Sequence, residues 1–143
     1  MFVSLSTGAP DLDARDDFAR ARRAQLMARA IRWAARRRRR PNHPRTLSET
    51  AVRRGRPARM DVIALDAIVG TVDPSPHFDE RFRPASSHLR ARWERVALAH
   101  RRGVPLPPIT VIEGRDGYYV VDGRHRVSVA RATGRREIHA WVR

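Results

Sequence analysis

Two arginines and a histidine follow a glycine in the run Asp122-Gly123-Arg124-His125-Arg126. Guanidinium groups are planar, permanently charged forks that match the oxygens of a phosphate or carboxylate. The flanking residues say where these forks stand. Tyr118-Tyr119-Val120-Val121 is aromatic and β-branched and predicts a strand. Asp122-Gly123 predicts a tight turn in which the glycine takes a positive φ. Val127, Ala130 and Arg131 then recur at helical spacing, and Gly134 is placed to close that helix. A helix starting at such a turn aims unpaired N–H groups and the positive end of its dipole at one spot. Amides, dipole and guanidinium forks together suit a phosphate or another oxyanion. Arginines disfavour a helix start unless an anion is present, a local conflict of the kind found at functional sites. The plain alternative is two solvated arginines at a helix start.

The neighbouring residues keep several roles open. Asp122 reads first as an N-cap or turn residue, and otherwise as a carboxylate orienting an arginine or a metal. His125 is either a general base or a ring turned into the fold to fix the turn. Asp79 and Glu80, in the loop before the long helix, read as solvated carboxylates or as acid–base groups facing the anion site. The six histidines are scattered without ligand spacing, so no protein-built metal site is expected.

The elements that must position these groups are legible in outline. Val62 to Ile68 predicts a first strand, followed by a proline-bearing loop from Thr71 to Pro84. Ser86 or Ser87 can cap the next helix, where Leu89, Trp93, Val96, Ala97 and His100 form an amphipathic stripe closed at Gly103. Ile109 to Ile112 and Tyr118 to Val121 predict a hairpin around Glu113-Gly114-Arg115-Asp116-Gly117. The last strand places Ile138, Ala140 and Val142 on one face. The expected fold is a small α+β domain with a mixed sheet over residues 61–143.

Upstream, residues 1–13 read as a disordered tail, 14–40 as a basic amphipathic helix, and 41–60 as a linker rich in Pro, Arg, Ser and Gly. The helix contains no Gly or Pro, and Pro41 ends it. Its apolar stripe is expected to be Leu26, Met27, Ala30, Ile31 and Ala34, with Phe18 and Trp33 at the edges. That stripe could pair with a second copy, dock a partner protein or fold back on the domain.

Composition bounds the rest. A chain of 143 residues holds one domain and an appendage. It has no cysteine, which removes disulfides and thiolate chemistry. No apolar stretch is long enough to span a bilayer, and no secretory signal is evident, so a cytoplasmic protein is expected. All 30 basic residues are arginine, against 15 acids. The excess is uneven: residues 1–60 carry 16 arginines and 5 acids, and residues 61–143 carry 14 and 10. The N-terminal segment, with Arg36, Arg37, Arg38, Arg39 and Arg40 in one run, therefore carries most of the attraction for polyanions. The run reads as a solvated tail or as nonspecific contacts with DNA phosphates, which would associate the protein with the nucleoid, and membrane-surface or partner-protein docking stays open.

Taken in order, these elements resemble the ParB/sulfiredoxin-like superfamily. Tyr118 to Gly134 with Glu137 to Val142 resembles its strand, Gly-x-x-Arg, short helix, glycine and closing strand. Val62 to Ile68 resembles the opening strand, Leu89 to Gly103 the helix, and Pro105 to Ile112 the G-x-x-x-P-I-x-V approach to the middle strand. The resemblance implies a phosphate site at Asp122, Gly123, Arg124, His125 and Arg126, with a nucleotide (CTP or ATP/ADP) and Mg2+ as the ligand. Sulfiredoxins place a catalytic cysteine directly after the glycine; Arg124 stands there, so that reaction is excluded. The second arginine box of ParB proteins has its nearest counterpart in His77-Phe78-Asp79-Glu80-Arg81. Arg143 follows the last strand directly, so the helix-turn-helix and dimerisation domains of a partition protein are not expected. Other branches act as free-serine kinases or have been called nucleases, and would give Glu80 and His125 catalytic roles. The leading expectation is a stand-alone nucleotide-binding module associated with DNA. The alternatives are a small phosphotransferase or nuclease-like enzyme on the same phosphate site, and an adaptor that no longer binds nucleotide.

Overall fold

The computed structural model describes residues 6–35, 43–47 and 57–143. Its elements are α1 (Pro10–Ala34), β1 (Arg45–Thr46), β2 (Arg59–Ala64), β3 (Ile68–Thr71), α2 (Arg90–Arg101), β4 (Ile109–Glu113), β5 (Tyr118–Asp122), α3 (Arg124–Ala132) and β6 (Glu137–Val142). The strands form one sheet in the order β1-β3-β5-β4-β6-β2. The β4–β5 and β2–β6 pairs are antiparallel, and β1–β3, β3–β5 and β4–β6 are parallel, so the expected mixed α+β fold is present.

Alternation along the strands sends one row of side chains into the core. Ile63, Ile109, Val111, Val120, Ala140 and Val142 pack there against Val127 and Ala130 of α3. A second core lies between the helices, where Phe18 of α1 meets Trp93 of α2 edge-on at 5.6 Å. The Trp93 indole donates to Ser128 Oγ at 2.8 Å, which satisfies its one buried donor and fixes α2 against α3. Both α2 and α3 end in Schellman caps: the amides of Gly103 and Val104 return to His100 and Ala99, and those of Gly134 and Arg135 to Arg131 and Ala130. The Ser86 hydroxyl accepts from the His88 amide at the start of the turn leading into α2.

Four expectations need correction. The first helix starts at Pro10, not Ala14, because Pro10 presets the first helical φ. Asp13 ties down the preceding chain by accepting from the amide and hydroxyl of Thr7 at 3.0 and 2.7 Å. The buried face of α1 is Asp13, Ala14, Asp17, Phe18, Ala21 and Gln25, whereas Leu26, Met27, Ile31 and Trp33 are exposed. The phase is set by the two carboxylates, which reach Arg101 at the end of α2. The 41–60 stretch is not all linker: Arg45 and Thr46 pair with Gly70 and Thr71, and β2 begins at Arg59. The opening strand is broken by a 3-10 turn at Leu65–Ala67, which places β2 and β3 at opposite sides of the sheet. Arg36 to Arg40 lie outside the described residues.

At the β2 edge, the Val62 amide donates to the side chain of Asp61 at 2.8 Å. Met60 and Val62 on this strand, and Trp141 paired with Met60, are exposed. Among the described residues no helix is long and apolar enough to cross a membrane.

Candidate functional site

β5 delivers the chain to Gly123, whose φ is +108°. A Cβ there would stand 2.4 Å from Ile109 Cγ2, so both the conformation and the space require glycine. α3 starts immediately after it with no side chain capping its N-terminus. The first intrahelical bond is Val127 N–H to Gly123 O at 3.0 Å. The amides of Arg124, His125 and Arg126 therefore have no acceptor within the helix and sit at the positive end of its dipole.

A pocket of about 370 Å³ opens at this helix end. Its cationic side is Arg124 and Arg126 of α3 with Arg92 of α2, joined by His77 and Ser75 from the β3–α2 loop. Phe78, Leu89, Val96, Leu106 and Pro107 line an apolar side. Sequence reasoning missed Arg92 and Ser75 because they come from elements remote in the chain; His77 entered it only within the nearest counterpart of the second arginine box. The legible signal was Arg92 itself: Leu89, Arg92 and Val96 share one helix face at i, i+3 and i+7, so an arginine interrupts an apolar stripe.

The expected residues divide by what they touch. Arg124 makes only a long ion pair, to exposed Asp73 at 3.9 Å, and its Nε is buried without a hydrogen-bond partner. Arg92 is exposed and has no ion pair among the described residues. Arg126 is different. Its Nη1 donates to the carbonyls of Pro107 and Pro108 at 2.6 and 2.8 Å, and its Nη2 to Asp122 at 2.7 Å. It is a strut fixing the loop before β4 to the helix start, not a free phosphate fork. Asp122 takes its second reading and orients that arginine.

His125 packs edge-on against Phe78 at 5.3 Å, and its Nε2 is buried without a partner. Burial, then Arg92, then Arg124 push its pKa down to about 4, so the ring is neutral at pH 7. A neutral imidazole beside two cations keeps one donor and one acceptor nitrogen and carries no charge. The two loop carboxylates leave the site. Glu80 pairs with Arg32 of α1 at 2.9 Å. Buried Asp79 accepts from the amides of Arg81 and Arg83 at 2.9 Å each and from Arg83 Nε at 2.7 Å. Asp79 thereby holds the turn in which Phe82, in the core, takes a φ of +60°. Both were expected as acid–base candidates, and local partners hold both elsewhere. No cluster of three or more His, Cys, Asp or Glu suited to a metal occurs among the described residues.

No protein-family model, no curated protein and no solved structure matches this chain.

Proposed function

We propose that the domain is a phosphate-binding module of the ParB/sulfiredoxin-like kind that takes a nucleotide at the start of α3. One observation carries this reading. The uncapped N-terminus of α3 opens into a pocket beside Arg92 and Arg124, and neither has a carboxylate in hydrogen-bond contact. Three amides, a helix dipole and two guanidinium groups form a donor set for phosphate oxygens. The apolar side formed by Phe78, Leu89 and Val96 offers a surface for a base or sugar. Mg2+, where it takes part, would be carried largely on the phosphates, with the exposed carboxylates of Asp73 and Asp122 nearby. A phosphotransferase reading depended on Glu80, and its pairing with Arg32 removes the support for it. The surplus of arginine in residues 1–60 supports association with DNA through phosphate contacts.

The test is calorimetric titration of CTP, ATP, GTP and ADP with Mg2+ into the full chain, with duplex DNA titrated alongside at two salt concentrations. Saturable binding of one nucleotide, weakened about ten-fold or more in Arg92→Ala/Arg124→Ala, supports the proposal. Unchanged affinity in that variant, or no nucleotide binding at all, defeats it, and DNA binding that ignores salt defeats the DNA association.

A further inference from the structure

A second cationic pocket, of about 420 Å³, lies toward the C-terminal end of α3, at Ser128, Arg131 and Ala132, where α1 crosses the domain. α1 supplies one wall through Ala21 and Ala24. Five arginines and two aspartates line the pocket. Two of the arginines have carboxylate partners: Arg83 pairs with Asp79, and Arg20 with Asp17, which it shares with Arg101. Arg81, Arg131 and Arg135 remain, against Asp66 alone.

Arg131 is the half-buried centre of this group. Its Nη2 donates to the carbonyls of Leu65 and Ile68 at 2.7 and 3.1 Å, and its guanidinium lies 5.6 Å from the Phe82 ring centre. Its Nε is buried without a hydrogen-bond partner. Main-chain oxygens and a ring face thus hold the cation in place, and no carboxylate among the described residues pairs with it. Burial pulls its pKa below the usual arginine range, and Arg81 adds to that pull while Asp66 and Asp79 oppose it. Arg81 and Arg135 are exposed and have no ion pair among the described residues, so their guanidinium groups are free to close on a ligand.

We propose that this pocket is a second anion site, distinct from the one at the start of α3, and that it takes a small phosphomonoester or inorganic phosphate. Three arginines against one aspartate leave two positive charges, which match the charge of about −1.5 to −2 on a phosphomonoester at neutral pH. A concave pocket walled by a helix favours a small ligand over a nucleic-acid backbone. Because α1 forms the wall, an anion bound there braces α1 against the domain.

The experiment titrates inorganic phosphate, phenyl phosphate and a short DNA duplex into the full chain. Calorimetry gives stoichiometry, and amide NMR locates the shifts. Arg81→Ala/Arg135→Ala removes two exposed side chains and leaves Arg131 to hold its carbonyls. The expected result is phenyl phosphate binding with shifts at Ser128 and Ala132, weakened about ten-fold or more in that variant and retained in Arg92→Ala/Arg124→Ala. Slower amide exchange in α1 on saturation is expected with it. Equal affinity and stoichiometry in wild type and Arg81→Ala/Arg135→Ala would overturn the proposal. So would shifts confined to the Gly123 end of α3, or binding of the duplex with neither small anion.

Discussion

Arg101 and Arg124 both stand at helix ends, and the chain treats them in opposite ways. Arg101 closes α2, where a cation complements the dipole. Its Nε and Nη2 donate to Asp17 at 2.6 and 2.7 Å, and Asp13 lies 3.6 Å from Nη1. The hydrogen bonds it donates to Asp17, and then the charges of Asp17 and Asp13, hold its pKa above the usual arginine range against the pull of burial. Arg124 opens α3, where a cation opposes the dipole, and it has only exposed Asp73 at 3.9 Å. One arginine is bound at close range by a buried carboxylate. The other has only a long, solvent-exposed ion pair, which is how a site differs from a joint.

The contrast can be broken in three ways. The largest effect belongs to the joint. Asp17→Ala leaves Arg101 and Arg20 without their shared carboxylate, and breaking a buried pair on one side costs about 3 kcal/mol. Urea denaturation should show that loss; a cost below about 1 kcal/mol would mean α1 does not depend on the pair. The next effect belongs to His125. A histidine whose pKa falls from 6.5 to about 4 on folding stabilises the fold fully above pH 6.5 and loses that contribution as pH drops toward 4. The loss should be on the order of 1–2 kcal/mol after discounting for solvent screening. Denaturation from pH 7 to 4 in wild type and His125→Asn measures it, and parallel curves would contradict the assignment. Saturating nucleotide should shrink the difference, because a bound anion favours the imidazolium. The smallest effect belongs to the site. Arg124→Ala should raise stability by about 0.3–1 kcal/mol, since it removes a cation from a helix start. A clear loss of stability would make Arg124 a second Arg101.

The parts of this fold written in local signals were the parts legible in the sequence. The Gly103 and Gly134 caps, the β4–β5 hairpin and the turn at Gly123 each rest on a few adjacent residues. α1 was misphased because its buried face carries Asp13 and Asp17, which periodicity counts as solvent-facing. Their partner Arg101 lies 84 residues beyond Asp17. Two-residue β1 is too short for any pattern, and the 3-10 turn at Leu65–Ala67 hides inside an apolar run. In the candidate site, Gly123 and Arg124 were legible from their own neighbourhood. The roles of Arg126 and Glu80 were not, because each is decided by a partner on another element: the Pro107 and Pro108 carbonyls for one, Arg32 for the other.

The Asp61–Val62 bond at the edge of the sheet has a consequence for how copies of this chain behave together. An open edge strand offers unpaired amides to any passing strand, and apolar side chains beside it invite the growth of sheets between molecules. Met60, Val62 and Trp141 supply that invitation here. At the middle of the strand, however, the Val62 amide is already occupied by a carboxylate. An incoming backbone would have to expel a charged group and then lie against it. Among the described residues, a single aspartate thus sets a negative charge on an apolar edge strand, the kind of residue that discourages pairing between copies.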